Sequence, residues 1–309
     1  MNCVPVKGDG IEACANCGKL GGDTVKLKDC KACRLVKYCG VDCQRAHRKH
    51  HKKACKQRAA ELEDERLYSQ GHERPEGDFC PICTLPIPLP TSKHSDFWVC
   101  CMKRVCHGCV VAAQQRGMFD CPFCRTPMQE DNESSLAMVQ KRVDAKDPVA
   151  MLFLGDKYYF ENLGLEKDVQ RAIELWTEAA KLGLSYAHHK LGNCYFDGEG
   201  VAEDHAKAVQ HWKKAAMLGN IDSRNSLGVY EVENGNYGRA VRHYLIAAKM
   251  GESVSLNNIR EMFVGGIATK EHYAEALKGY WDSVEEMKSQ ERDEAKALVS
   301  RVRHNDHAI

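Results

Sequence analysis

The chain has 309 residues, 28% of them charged and 43% hydrophobic, with 44 basic against 43 acidic side chains, which is length for two to three domains. This composition excludes disorder throughout, and the lack of any apolar run near the roughly 18 residues that cross a bilayer excludes a membrane-spanning protein. A net charge of +1 argues against a nucleic-acid protein held by overall charge, so the abnormal number is the cysteine count, seventeen.

The opening residues, Met1 to Lys7, lack the apolar core of a secretory signal, so residues 1–13 read as a tail and the chain is expected in the cytosol or nucleus. Sixteen cysteines lie before residue 130 and Cys194 stands alone beyond it, so the chain divides there by composition. An odd count without a secretory signal favours thiolates held by metal over disulfides. Cys14-x2-Cys17, Cys30-x2-Cys33, Cys80-x2-Cys83, Cys106-x2-Cys109 and Cys121-x2-Cys124 are five C-x2-C pairs, each able to present two sulfurs to one tetrahedral zinc.

Residues 14–55 add Cys39-x3-Cys43 and His51-x3-Cys55 to the first two pairs, giving eight ligands and two closed sites. Residues 44–58 are basic and free of Pro and Gly, so a helix is expected there, with His51 and Cys55 on one face at i, i+4. His47 shares that face one turn earlier and His50 is adjacent. His51 is taken as the ligand, with His47 and His50 solvated or supporting. Residues 1–60 carry fourteen Lys/Arg against five Asp/Glu, but only Tyr38 is near as a stacking aromatic. They read as a solvated face that offsets thiolate charge rather than a nucleic-acid surface.

The run Tyr38-Cys39-Gly40-Val41-Asp42-Cys43-Gln44 and the closing His51-Lys52-Lys53-Ala54-Cys55 resemble the MYND zinc finger. The resemblance implies interleaved sites, with Cys14, Cys17, Cys39 and Cys43 on one ion and Cys30, Cys33, His51 and Cys55 on the other. It also implies short proline-containing peptides as ligands, although Arg48 stands where the family usually has tryptophan.

Residues 56–79 read as a linker in which the helix continues to about Leu67 before Gly71, Pro75 and Gly77 break it. Residues 80–127 then hold three C-x2-C pairs and the vicinal Cys100-Cys101, again enough for two zinc ions. The gap from Cys83 to Cys100 contains Pro86, Pro88 and Pro90 and reads as a loop, whereas 110–116 suits a short helix ended at Gly117.

Residues 80–125 resemble a RING finger, a family most of whose members act as ubiquitin ligases. The resemblance implies one ion on Cys80, Cys83, Cys106 and Cys109, and another on Cys121 and Cys124 with a central pair. Lys103 occupies the position of an expected histidine, and an ammonium has no lone pair to give. The replacement is Cys100 together with Cys101, or His94 or His107, and the vicinal pair needs a turn because successive side chains diverge in a strand. The family's docking patch for a ubiquitin-conjugating enzyme is matched by Ile82, Pro122 and, just after the last ligand, Arg125. The tryptophan common before the seventh ligand is absent, with Met118 and Phe119 nearby.

Residues 128–146 read as a second linker. Beyond them Leu154-Gly155, Leu191-Gly192 and Leu227-Gly228 recur, as do Ala179-Ala180-Lys181-Leu182-Gly183, Ala215-Ala216-Met217-Leu218-Gly219 and Ala247-Ala248-Lys249-Met250-Gly251. A period near 36 residues means a solenoid of helix pairs, with repeats at 147–183, 184–219 and 220–251. The third repeat is four residues shorter around 234–237. These residues resemble Sel-one-like repeats, relatives of the tetratricopeptide class, which implies scaffolding and partner recognition. Residues 252–309 read as a diverged repeat and a charged, solvent-facing capping helix. Trp176, Trp212, Tyr195 and Cys194 are expected in the core, and His188-His189 has no completing ligand beside it.

The expected fold class is mainly α, an α-solenoid preceded by two small two-zinc modules with four zinc ions in all. The expected function is a RING-type ubiquitin ligase that recruits a conjugating enzyme and selects protein or peptide targets through the repeats and the MYND finger. The alternatives are a non-enzymatic zinc-stabilised scaffold and, behind it, a chromatin or nucleic-acid regulator.

Overall fold

Local propensity and cysteine spacing build two units, Met1–Ser69 and Gln70–Ile309, in a computed structural model that describes residues 12–129 and 131–305. Residues 1–11 of the expected tail lie outside the described residues. In the first unit β1 (Lys28–Asp29) pairs antiparallel with β2 (Lys37–Tyr38), and α1 (Val41–Ser69) follows. Nothing in α1 breaks a helix, and its charge runs basic then acidic, so Arg58 reaches Glu61 at 3.1 Å and Glu65 at 2.7 Å. The buried core here is Cys14, Cys30, Cys33 and Tyr38. Three of these four side chains are cysteines, and so small an apolar core is too little to hold a unit of this size without metal.

The second unit opens with an extended strap, 70–75, and a 3-10 turn, Glu76–Asp78. A hairpin of β3 (Ser95–Trp98) and β4 (Lys103–Cys106) feeds α2 (His107–Gln115), and Ile87, Val105 and Val110 form the small core beneath. The segment expected as a linker at 128–146 contains α3 (Asn132–Asp144), whose N-cap Asp131 accepts the Ser134 N–H at 2.6 Å. Leu136, Val139 and Val143 share one face of α3 and turn it into the solenoid core.

Four helix pairs follow: α4 (Pro148–Tyr159) with α5 (Val169–Lys181), α6 (Ser185–Asp197) with α7 (His205–Met217), α8 (Ile221–Glu233) with α9 (Tyr237–Lys249), and α10 (Ser253–Val264) with α11 (Lys270–Glu286). The recurring Leu-Gly pair has a steric origin. A Cβ at Gly155, Gly192 or Gly228 would lie 2.6, 2.4 and 2.4 Å from Trp176, Trp212 and Tyr244 respectively. Each glycine therefore lets the aromatic of the following helix pack against bare backbone. The closing glycines Gly183, Gly219 and Gly251 are left-handed at φ 88, 84 and 94°, where other residues are strained. Only residues 234–236 separate α8 from α9, against 198–204 between α6 and α7, which is the four-residue shortening of the third repeat.

The second cysteine-rich module is built into this solenoid rather than tethered to it. Met102, at the hairpin tip, is buried in the same core as Val139, Met151 and Leu154, and Phe97 stacks on Phe153 at 5.0 Å. The strap lies against the repeats so closely that a Cβ on Gly71 would fall 1.9 Å from the Ala216 carbonyl oxygen, and one on Gly219 2.1 Å from that of Glu73. Asp78 there accepts from Arg74 at 3.3 Å and from the Tyr186 hydroxyl. The last helix, α12 (Gln290–Asn305), exposes most of its charged side chains, and one side of it packs on α2 and buries Ala295. Gly108 on α2 makes the approach possible. Among the described residues no helix is long and apolar enough to cross a membrane.

Candidate metal centres

Four of the five C-x2-C pairs share one local structure. The residue after the second cysteine, Gly18, Arg34, Thr84 or Arg125, is left-handed at φ 72, 56, 60 and 62°. Its N–H returns to the carbonyl of the first cysteine at 2.8 to 2.9 Å. That turn points both sulfurs to the same side. The fifth pair is different, because Cys106 caps α2 and Cys109 lies in its first turn, where helical spacing does the same work.

In the first unit, Cys14, Cys17, Cys39 and Cys43 form one group and Cys30, Cys33, His51 and Cys55 another, all ligand atoms within 4.8 Å of one another in each. The Sγ atoms of Cys17 and Cys39 are 3.6 Å apart, those of Cys39 and Cys43 3.5 Å, and those of Cys30 and Cys55 3.7 Å. Zinc–sulfur bonds of about 2.3 Å in a tetrahedron set sulfurs about 3.8 Å apart, so the donor sets fit zinc. Of the three adjacent histidines, His51 alone is buried and sets Nε2 3.2 Å from Cys33 Sγ. His47 instead meets the Tyr38 hydroxyl through Nδ1 at 3.1 Å, and His50 is exposed. The crowded sulfurs disturb one another: Cys39 is pushed up to about 12 by Cys43, Cys17 and Cys14. Cys14, against the opposing effect of burial, is lowered to about 6 by the N–H groups of Cys17, Cys39 and Asn16. A divalent cation is the natural partner for such a set.

The outer face of α1 carries Arg45, Arg48, Lys49, Lys52, Lys53 and Lys56, all exposed. They lie on the helix that supplies Cys43, His51 and Cys55, and so offset the charge of the thiolates.

The second module brings together Cys80, Cys83, Cys106 and Cys109, and separately Cys100, Cys101, Cys121 and Cys124, again interleaved along the chain. Cys83 and Cys106 Sγ are 3.8 Å apart, Cys101 and Cys121 3.8 Å, and Cys100 and Cys124 3.3 Å. The vicinal pair converges because it occupies the β3–β4 turn, followed by left-handed Met102 at φ 53°. Arg142 of α3 fixes that turn by donating to the Cys100 carbonyl at 2.7 Å. The two alternatives for the replaced histidine lie elsewhere: His107 Nε2 is 3.5 Å from the Asp96 carboxylate, and His94 is lowered by burial and by nearby Lys296, His107, Arg292 and Lys93.

Ile82, inside the first knuckle, is 43% exposed. Pro122 lines a cavity of about 380 Å³ with Phe97, Trp98, Val110, Met118 and Phe119. Arg125 turns its guanidinium to the Met118 sulfur. Sequence reasoning overlooked the left-handed residue after four of the five knuckles, although its regular place one residue past the second cysteine was available as a signal.

In the repeats, Trp176, Trp212 and Cys194 are buried and Tyr195 half-buried, stacked on His211. His188 and His211 meet through their Nδ1 atoms at 3.0 Å, whereas His189 bonds the Ser223 hydroxyl.

The MYND finger family matches residues 14–55. The Sel1 repeat family matches 148–184, 185–220 and 224–252, which correspond to α4–α5, α6–α7 and α8–α9. Residues 56–147 lie outside these matches. Among solved structures, the chain is similar to a protective antigen of uropathogenic Escherichia coli displaying an SLR fold (21% identity, 59% of this chain and 38% of that one, TM-score 0.44). It is also similar to a Sel1 repeat protein from Oxalobacter formigenes (26%, 41% and 97%, 0.38) and to an immunity protein from Pseudomonas aeruginosa (17%, 68% and 71%, 0.38). The chain thus joins a MYND finger to Sel1 repeats, a protein-interaction domain, and its four Cys/His clusters, two of them in the MYND finger, are compatible with zinc.

Proposed function

We propose that each of the four clusters holds one zinc ion, that residues 80–127 are a RING-type finger, and that the chain is a ubiquitin ligase. In this reading the RING docks a ubiquitin-conjugating enzyme, and the repeats and MYND finger choose the protein to be modified. The supporting observation is the interleaved pair of four-cysteine centres at 80–124, completed by Cys100 and Cys101, with Ile82 left exposed on the first knuckle. Bound zinc supplies only structure here: it fixes the two knuckles and the helix between them. Ile82 and Pro122 then give apolar contact to the conjugating enzyme, and Arg125 a hydrogen-bond donor toward enzyme and ubiquitin. Catalysis in this scheme is positioning of a bound thioester, with no nucleophile from this chain.

Incubation of the full chain with ubiquitin, activating enzyme and a panel of conjugating enzymes tests this. The expected result is ubiquitin-chain formation lost in Ile82→Ala and reduced in Arg125→Ala. No discharge by any conjugating enzyme, at full zinc content, refutes it. A second reading, a non-enzymatic scaffold, draws on the hairpin tip being buried in the repeat core. It predicts full zinc content and no conjugating-enzyme binding.

A further inference from the structure

A zinc ion with four thiolates carries a net charge of −2, and in the first centre of the second module Cys80 and Cys106 are 0% and 1% exposed. A buried dianion must find hydrogen-bond donors or countercharge. Local donors are backbone N–H groups, that of Cys106 3.5 Å from Cys80 Sγ, with those of Cys83, Leu85 and Cys109 turned to Cys80, Cys83 and Cys106. A charged donor comes from far along the chain. Arg292, in the first turn of α12, places Nη2 3.5 Å from Cys83 Sγ, across a separation of 209 residues. The same guanidinium donates to the carbonyls of Leu85 at 3.2 Å, Pro86 at 2.6 Å and Met287 at 2.6 Å. It therefore grips the knuckle that carries Ile82 and ties it to the end of α11.

Backbone packing places α12 there independently of the arginine side chain. A Cβ on Gly108 would lie 2.8 Å from the Arg292 nitrogen and 2.9 Å from the Glu291 carbonyl carbon. Gly108 sits between Cys106 and Cys109, so the same short segment presents two sulfurs to one side and bare backbone to α12 on the other. The second centre of the module has a different arrangement: Arg142 donates to the Cys100 carbonyl rather than to a sulfur.

We propose that Arg292 is a positioning residue for the zinc of Cys80, Cys83, Cys106 and Cys109, so that occupancy of this centre and docking of α12 on α2 are reciprocally linked. The proposal rests on the ligand assignment above but not on ligase activity. Linkage requires that whatever holds α12 in place tightens the metal, and that metal loss frees α12. The centre is then a latch between the first knuckle of the zinc module and the last helices of the repeat domain.

The test is a chelator titration of the full chain, followed by alkylation of each cysteine and by amide exchange of residues 290–298. In wild type, exposure of Cys80, Cys83, Cys106 and Cys109 to alkylation is expected to coincide with faster exchange in α12. In Arg292→Met that group of four is expected to become reactive at about tenfold lower chelator, since partners of metal ligands typically contribute 10 to 100-fold in affinity. Arg292→Lys recovers part of the loss, and Arg142→Met leaves this group unchanged. Equal chelator dependence in Arg292→Met and wild type overturns the proposal. So does α12 exchange that stays constant while the four cysteines become reactive, a wild-type measurement that stands even if the variant fails to fold. If chelator does not alter the reactivity of these four cysteines at all, the ligand assignment itself fails.

Discussion

Replacing Gly192 with alanine tests the steric account of the repeat. The added Cβ would fall 2.4 Å from both Cδ1 and Nε1 of Trp212 and 3.1 Å from Cγ. Ordinary carbon contacts begin near about 3.5 Å, so the indole must retreat by roughly 1 Å. Trp212 has little room, being 4% exposed and tied through Nε1 to Asn193 Oδ1 at 2.9 Å. Overpacking of this kind costs about 1 to 3 kcal/mol, and the better helix propensity of alanine returns about 0.8 to 1 kcal/mol. The expected net loss is therefore about 0 to 2 kcal/mol, read by urea unfolding of wild type and Gly192→Ala. The same substitution in a Trp212→Leu background lacks the clash and is expected to be neutral or stabilising. Equal effects in the two backgrounds would refute the reasoning.

Three further outcomes follow from buried or strained groups. Asp78→Ala leaves Arg74, whose side chain is 5% exposed, without its carboxylate, and should cost about 3 to 5 kcal/mol in urea unfolding; a loss under about 0.5 kcal/mol would count against a structural strap. Thr84 is β-branched and left-handed at φ 60°, so Thr84→Gly should raise the chelator-free melting temperature, and a fall would contradict the strain. His211 is lowered to about 4 by burial, then by His188 and Lys214, while the Tyr195 ring stacks on it. Because the folded value is depressed, its contribution is complete above pH about 6.5 and is lost as pH falls toward 4. Allowing for partial exposure this amounts to about 1 to 2 kcal/mol. His211→Gln should flatten the stability difference between pH 5 and 7.5 by that much, and an unchanged difference would contradict it.

Much of this architecture was legible because it repeats. Five C-x2-C pairs, Cys39-x3-Cys43 and His51-x3-Cys55 name their ligand types by spacing, and the Leu-Gly and Ala-Ala markers reveal the helix pairs. Helix α3 was missed although Asp131 and Ser134 form an N-cap and Leu136, Val139 and Val143 a stripe, because a short charged segment between stronger signals resembles a linker. The docking of α12 on α2 could not be read at all. It depends on Gly108 meeting the Arg292 backbone and on Arg292 reaching Cys83, and no local pattern encodes a contact between residues 209 apart. The vicinal Cys100-Cys101 left three candidates open, since only the hairpin turn and left-handed Met102 decide which side chains converge.

The central claim, that the chain carries two interleaved two-zinc modules, is tested most directly by zinc stoichiometry from native mass spectrometry of wild type and of a Cys100→Ser, Cys101→Ser double variant. Four ions in wild type and three in the variant are the predicted result. Three ions in wild type, or four retained in the variant, would contradict it.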